Sequence, residues 1–341
     1  HSDHRRQRQM CIRDRIGAVT FDGAIESGDG NDDDILVIKS GTGAVTITGA
    51  IGVTEELGGL KINAGETANS SDDGSGDITI TGAIGGVAEG DTAEPGVIGT
   101  VKIGNDATND LNFGGALYSF DGTTTVTAKA GDTIDFAADA EFAVDNDSLT
   151  FATGTIHLAN GVDLTVNSSG GAIAINSVAG TSSGAAPLET ITINANDTAA
   201  ENGADGETVS IGNIGDAGHT EIKTVDITAD DGITLSGAIY TADSGAQGNV
   251  IFRDNVIING TVIIDTDDSL SNDGDITFTD SIEGASQGAG SLTIEGGTGT
   301  ITLTAIGATT GIGNLSINTQ DTGTANLTIK NIGSGTVDQA T

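Results

Sequence analysis

The sequence predicts an all-β protein wound as a parallel β-helix, that is, a β-solenoid, and three observations carry the reading. The first is a repeated phrase. Gly43-Ala44-Val45-Thr46-Ile47-Thr48-Gly49-Ala50-Ile51 returns as Gly76-Asp77-Ile78-Thr79-Ile80-Thr81-Gly82-Ala83-Ile84 and more loosely over 109–117, with starts 33 residues apart. The second is period-two alternation of Ile, Val or Leu with Thr, Ser, Asn or Asp in nearly every apolar run, the mark of a strand with one buried face. The third is a shortage of large side chains: 3% aromatic and no Trp, against 53 Gly in 341 residues. A repeat this short cannot enclose its own apolar face, so it must stack on its neighbours. Tandem β-sandwiches are the alternative architecture, but they repeat at roughly 100 residues and carry core aromatics, whereas Tyr118 and Tyr240 are the only tyrosines here.

Looser copies of the phrase begin at Asp231, Gly274 and Gly299. A second phrase, apolar-polar-apolar-polar, answers the first at 60–63, 101–104, 191–194, 225–228, 292–295, 315–318 and 327–330. Gly-rich or acidic corners at 53–59, 87–99 and 283–290 separate the two, because Gly accepts positive φ and Asp and Asn tolerate it. Each unit therefore reads strand, corner, strand, corner over roughly 25–40 residues. The stretch from 120 to 170 drops the phrase but keeps strands at 124–128, 133–136, 148–152, 155–158 and 162–166. Alternation turns Ile47, Ile62, Ile80 and Ile103 inward and Thr46, Lys61, Thr79 and Lys102 outward. Residues 16–341 are expected to form one continuous solenoid.

Residues 1–15 differ in texture. They hold five of the twelve Lys and Arg residues and also the single Cys and single Met. The run Met10-Cys11-Ile12-Arg13-Asp14-Arg15 resembles the in-frame translation of a sequencing-library adaptor, so the segment is expected to be non-native and is left out of the fold reasoning. No apolar stretch of signal-peptide length follows it. The chain is expected to be an open segment of a longer protein, with its export signal outside it.

The other 326 residues carry 47 acidic and seven basic side chains, a net charge of −40. Such a surface repels nucleic acid and anionic lipid. No apolar run reaches the length of about 18 residues that spans a bilayer, so neither nucleic-acid binding nor membrane insertion is expected. The acids lie in short clusters between regular strands, unlike the uniform charged blocks of a disordered chain.

Phrases such as Gly76-Asp77-Ile78-Thr79-Ile80-Thr81-Gly82-Ala83-Ile84-Gly85-Gly86 and Ile312-Gly313-Asn314-Leu315-Ser316-Ile317-Asn318 resemble the text of large repetitive bacterial surface proteins, the filamentous-haemagglutinin-like and autotransporter-passenger adhesins. The likeness is one of texture and covers most of residues 16–341. It implies a right-handed β-helix exported to the cell surface, secreted or extracellular. The function it implies is a structural and adhesive rod segment without catalysis. Host or matrix components would be met through regions outside this segment, and end-to-end self-association is expected.

Calcium is the cofactor that the acidic clusters suggest, because oxygen-only ligands suit that ion. The candidate ligands are Asp29, Asn31, Asp32 and Asp34 in one cluster and Asp265, Asp267, Asp273 and Asp275 in another. The first lies in a Gly/Asp turn similar to those of calcium-binding β-rolls, although it occurs once where those rolls need it in tandem. The second begins like an EF-hand loop, but Leu270 replaces the turn Gly and Ile276 the bidentate Glu. A calcium-binding matrix or surface-layer protein is thus the alternative function, with a solvated acidic face as its structural counterpart. Asp72, Asp73, Asp77, Asp145, Asn146 and Asp147 form lesser clusters. A carbohydrate-active β-helix enzyme is the second alternative, since hydrolysis needs two carboxylates across one groove. The Gly218-His219-Thr220 segment with Lys223 is only a compressed likeness of a pectin-hydrolase signature. His157 is expected to point outward between inward Ile156 and Leu158.

Overall fold

A computed structural model describes residues 9–13, 17–28, 34–64, 74–87, 93–145, 147–181, 188–196, 206–216, 221–241, 248–267, 273–317 and 326–333. The described residues form strands, bridges, turns and bends joined by irregular positions, without helix. They fall into two compact units, residues 1–156 with 167–171 and residues 157–166 with 172–341. Each unit is a parallel β-solenoid, and each is taken by itself.

In the first unit every coil has three sides. One side stacks Val19–Phe21, Val45–Ile47, Ile78–Ile80, Leu111–Phe113 and Thr133–Phe136 in parallel register. Ile47 lies opposite Ile80, 33 residues on, as the repeat requires. Another side stacks Ile35–Lys39, Gly59–Ile62, Val101–Gly104, Thr124–Thr127 and Leu149–Phe151. The backbone of Gln9–Arg13, within the segment set aside on sequence, pairs in register with Ile35–Lys39. Between these two lies a narrow side made of single bridges, Ile25–Ile51–Ile84–Tyr118 and Leu57–Val97–Phe120. It widens to full strands only at Leu117–Phe120 and Ala140–Val144. The two-strand reading of a coil therefore missed a side. One or two inward residues between corners leave no alternating run to detect.

The second unit has three sides as well. The first carries Thr190–Ala195, Thr224–Ala229, Asn249–Phe252, Ile276–Phe278 and the opening of Thr300–Ile306. The next carries Val209–Ile214, Ile233–Leu235, Val256–Ile258 and Ser281–Gly284. The last carries Ala238–Tyr240, Thr261–Asp265, Ala289–Glu295 and Ile312–Ile317. Copies of the repeated phrase need not share a side: Ile276 pairs with Ile301 on the first side, whereas Ile233 stands on the next. The phrase encodes a strand and the corner after it, and more than one side accepts both.

Alternation places the core as read. Ile47, Ile62, Ile80 and Ile103 are fully buried, while Thr46, Lys61, Thr79 and Lys102 are half-exposed on the outer surface. Each buried Ile contributes about 1.5–3 kcal/mol of transfer free energy. His157 is half-exposed between buried Ile156 and Leu158.

The corners explain the glycines. A Cβ added to Gly76 would stand 2.0 Å from the Gly43 carbonyl oxygen, and one on Gly43 would stand 2.0 Å from that of Gly17. On the other flank of the same strands, Gly82 meets Gly49 at 2.0 Å and Gly49 meets Gly23 at 1.9 Å. Parallel strands sit ≈ 4.7–4.9 Å apart, and where the chain turns at that pitch one backbone runs against the next. Only a residue without Cβ fits.

Aromatic residues, though few, are concentrated. Phe113, Tyr118, Phe120, Phe136, Phe142 and Phe151 pack in the interior of the first unit. Phe113 stacks on Phe136 at 5.3 Å and meets Tyr118 edge-on at 5.0 Å, within the favourable range for ring pairs. The Tyr118 hydroxyl accepts from the Gly115 N–H at 2.7 Å and donates to the Ile80 carbonyl at 2.9 Å. Burial pushes the phenol up to about 12, opposed by the hydrogen bond from Gly115.

Two outcomes follow. Gly82→Ala should lower unfolding free energy by about 1–3 kcal/mol through overpacking, read as a shift in urea midpoint. Gly23→Ala, whose Cβ would meet nothing within 4 Å, should shift it little. Tyr118 ionises near 10 in the unfolded chain and at about 12 in the folded one. Its contribution is therefore intact below the lower value and is lost as pH rises between the two. Tyr118→Phe should remove that alkaline slope from a titration of stability, and an unchanged slope would contradict the assignment.

Candidate functional site

The second acidic cluster lies where the last side of a coil in the second unit turns into the first side of the next. Thr261–Asp265 ends in Asp265, whose backbone lies opposite Tyr240 one coil back and Glu295 one coil on. Partial burial first, and then Asp265, Glu295 and Asp216, hold the Tyr240 phenol above its ordinary value. Asp265 Oδ1 accepts the Asp267 N–H at 3.0 Å. Thr266 is buried, and its hydroxyl donates to the Gly274 carbonyl at 2.9 Å, closing the corner at its base. Thr241 does the same to Gly248 at 3.0 Å, and Ser40 to Gly43 at 2.5 Å in the first unit. A hydroxyl that would otherwise cost free energy on burial thus latches the corner.

The buried Asp273 reaches across to the next coil. Its Oδ2 accepts both the N–H and the hydroxyl of Thr298, the latter at 2.6 Å. Gly297, at φ 47°, lies against this carboxylate and that of Asp267: a Cβ there would stand 2.3 Å from Asp273 Oδ2 and 2.6 Å from Asp267 Oδ1. Asp275 faces a different way. Its N–H donates to Asn249 Oδ1 at 2.9 Å, and its Oδ1 accepts the Thr300 N–H at 2.7 Å. Of the four aspartates read as one cluster, Asp267 and Asp273 converge, while Asp265 and Asp275 tie the backbone to either side of them.

Asp29, Asn31 and Asp32, with their neighbour Asp33, lie outside the described residues. Asp34 stands just before Ile35–Lys39 and accepts the Gly28 N–H at 3.1 Å. Asp72, Asp73, Asn146 and the Gly218-His219-Thr220 segment also lie outside the described residues. Asp147 accepts the Thr123 hydroxyl at 2.8 Å, and Asp145 accepts that of Ser169. Among the described residues, no group of three or more His, Cys, Asp or Glu side chains is arranged to hold a metal ion. A calcium ion takes six to eight oxygens. The Asp267–Asp273 pair would supply a first two, one of them in competition with Thr298.

Sequence reasoning passed over the glutamates that do the same work. Glu283 accepts the N–H groups of Thr309 and Thr310, the shorter bond at 2.6 Å. Glu26 accepts those of Thr54 and Glu55, both at 3.1 Å. Glu189, fully buried, accepts those of Leu188 at 2.8 Å and Thr181 at 3.3 Å. For Glu26 and Glu283 the spacing held the signal, since each precedes by about one coil a pair of residues in a turn. Arg253 adds a cross-coil ion pair, donating to both oxygens of Asp226 at 2.8 and 2.7 Å. The chemistry common to Glu26, Glu283, Asp273, Asp275 and the Arg253–Asp226 pair is attachment of one coil to the next through carboxylates. Glu189 instead ties Thr181 to Leu188.

No protein-family model matches this chain, and neither does any curated protein or solved structure.

Asp273→Ala should leave the Thr298 amide and hydroxyl without their shared acceptor and cost about 1.5–3 kcal/mol, the range for hydrogen bonds to a charged group. Denaturant unfolding measures the loss. Hydrogen exchange at the Thr298 amide should accelerate in the same variant.

Proposed function

We propose that the chain is a structural and adhesive segment of a large exported bacterial surface protein, and that it catalyses no reaction. The observation that carries this reading is the use made of its acidic groups. Asp273, Asp275, Glu26, Glu189 and Glu283 accept backbone N–H groups within the stack of coils. Carboxylates so engaged serve cohesion, and the repeat supplies length. The likeness in texture to filamentous-haemagglutinin-like and autotransporter-passenger proteins supports an extracellular setting. Contact with host or matrix components would then fall to regions beyond this segment.

The reading has a direct test. The chain is placed between a membrane-barrel anchor and an epitope on encapsulated cells. It should carry the epitope past the capsule to antibody, where the anchor alone leaves it masked. Equal labelling, or release of reducing sugar from any polysaccharide offered to the purified chain, overturns the proposal.

One observation favours a calcium-binding surface protein as the second reading: Asp267 and Asp273 approach the same turn at Gly297. If an ion binds there, millimolar Ca²⁺ should raise the melting temperature above the value in NaCl of equal ionic strength, and Asp267→Asn should abolish the difference. Equal melting in both salts means screening of the acidic surface alone.

A further inference from the structure

The corner between Val256–Ile258 and Thr261–Asp265 consists of two residues, Asn259 and Gly260. Both are exposed. Gly260 has φ 107°, and the atom nearest to a Cβ built on it is the Ser236 carbonyl oxygen at 4.0 Å. The Gly260 N–H makes no hydrogen bond to a described residue. An asparagine side-chain carbonyl therefore stands beside an unshielded, solvent-accessible peptide nitrogen that carries no side chain to hinder it.

We infer that Asn259 is a site of spontaneous deamidation and that the isoaspartyl product unfastens this corner from the coils on both sides. The Gly260 nitrogen, losing its proton to solvent, attacks Asn259 Cγ. An N–Cγ bond forms, the Cγ–Nδ2 bond breaks, and Nδ2 takes up a proton and leaves as ammonia. Water then opens the five-membered succinimide at either of its two carbonyls. Opening at one gives aspartate; opening at the other gives isoaspartate, in which the main chain runs through the side-chain carbon. No cofactor is needed, because the nucleophile and the carbonyl are already held within one ring closure.

The consequence comes from what the two residues hold. The Asn259 N–H donates to the Leu235 carbonyl one coil back at 2.9 Å, and the Gly260 carbonyl accepts the Ser291 N–H one coil on at 2.8 Å. Isoaspartate adds one backbone carbon between these two bonds, so the corner can no longer meet both neighbours at their fixed spacing. The other described Asn–Gly pair, Asn160-Gly161, is also exposed and open, with φ 80° at the glycine. Its turn is closed locally, by the Val162 N–H on the Ala159 carbonyl at 2.9 Å. Conversion there alters one turn, while conversion at Asn259 loosens three coils.

The test ages the full chain in mildly alkaline and mildly acidic buffer at physiological temperature. Isoaspartate is located by peptide mapping and enzymatic methyl labelling. Isoaspartate should accumulate at residue 259, faster in the alkaline sample. In Asn259→Gln, closure needs a six-membered glutarimide and would give glutamate or isoglutamate, so loss of the amide at 259 should be about tenfold or more slower by peptide mapping. The Ser291 amide should exchange hydrogen faster in aged than in fresh wild type. Fresh Asn259→Asp, which gains the charge without the extra backbone carbon, should protect Ser291 as fresh wild type does. The proposal falls if residue 259 stays an amide in the folded chain while the denatured chain converts. It falls equally if aged protein rich in isoaspartate at 259 protects Ser291 as well as fresh protein does.

Discussion

The spacing between neighbouring parallel strands, ≈ 4.7–4.9 Å, is the constraint on which the rest of each unit depends. Strand interiors meet it with ordinary backbone hydrogen bonds. Corners must meet it too, and there the chain turns across its own previous turn. The columns Gly17–Gly43–Gly76 and Gly248–Gly274–Gly299 are the result, each glycine pressed against the carbonyl of the one before. The same spacing favours β-branched residues on the inner face, where Ile and Val fill a narrow interior at every level. Rings enter where the narrow side lengthens into the strands Leu117–Phe120 and Ala140–Val144 and the interior is wide enough for them.

Charge is accommodated by the same geometry. A net −40 outside residues 1–15 would oppose any compact state. Many of the carboxylates are placed where the strand ladder lapses, at corners, and accept N–H groups that would otherwise face solvent or go unpaired. Asp110 takes the Thr133 N–H at 3.0 Å just as Asp275 takes that of Thr300. Hydrogen bonds to a charged acceptor are worth about 1.5–3 kcal/mol, more than the mutual repulsion of exposed carboxylates, which is screened beyond about 8 Å at physiological salt. Where a carboxylate lacks enough such donors the cost shows: Asp254 is held above the ordinary carboxylate range chiefly by burial, with Asp280 and Asp230 adding to it.

The strands were legible in the sequence because their signal is local. Thr133–Phe136 and Thr155–Leu158 have the limits that alternation gives them. The third side was not legible, because Ile51 and Leu57, or Ile84 and Val97, are single inward residues separated by corners and insertions. The acidic candidates were legible as residues and not as an arrangement. Asp265, Asp267, Asp273 and Asp275 are close in the chain, yet which of them converge depends on Gly297, more than twenty residues beyond, and on the coil that carries it. Glu283 likewise acts on Thr309 and Thr310, a relation that exists only once the length of the coil is known.

Stacking also governs where new chemistry could arise. Equivalent positions of successive coils form columns, so a side chain on a strand sees copies of its own environment above and below it. A site needs unlike groups brought together, and a column of like groups does not supply them. In the second unit that uniformity is broken at corners such as those between the last side of a coil and the first side of the next. Thr241 and Gly248 close it around six residues, Thr266 and Gly274 around seven, and the tight turn 296–299 crosses it with almost none. A hydroxyl closes the first two and a backbone bond from the Gly299 N–H to the Gly296 carbonyl the third, while what is enclosed varies. Insertions are tolerated there because the hydroxyl–carbonyl bond holds the ends of the segment whatever its length, and the entropic cost of a longer closed loop grows only slowly. The strands hold the coil spacing, and these corners are free to diverge.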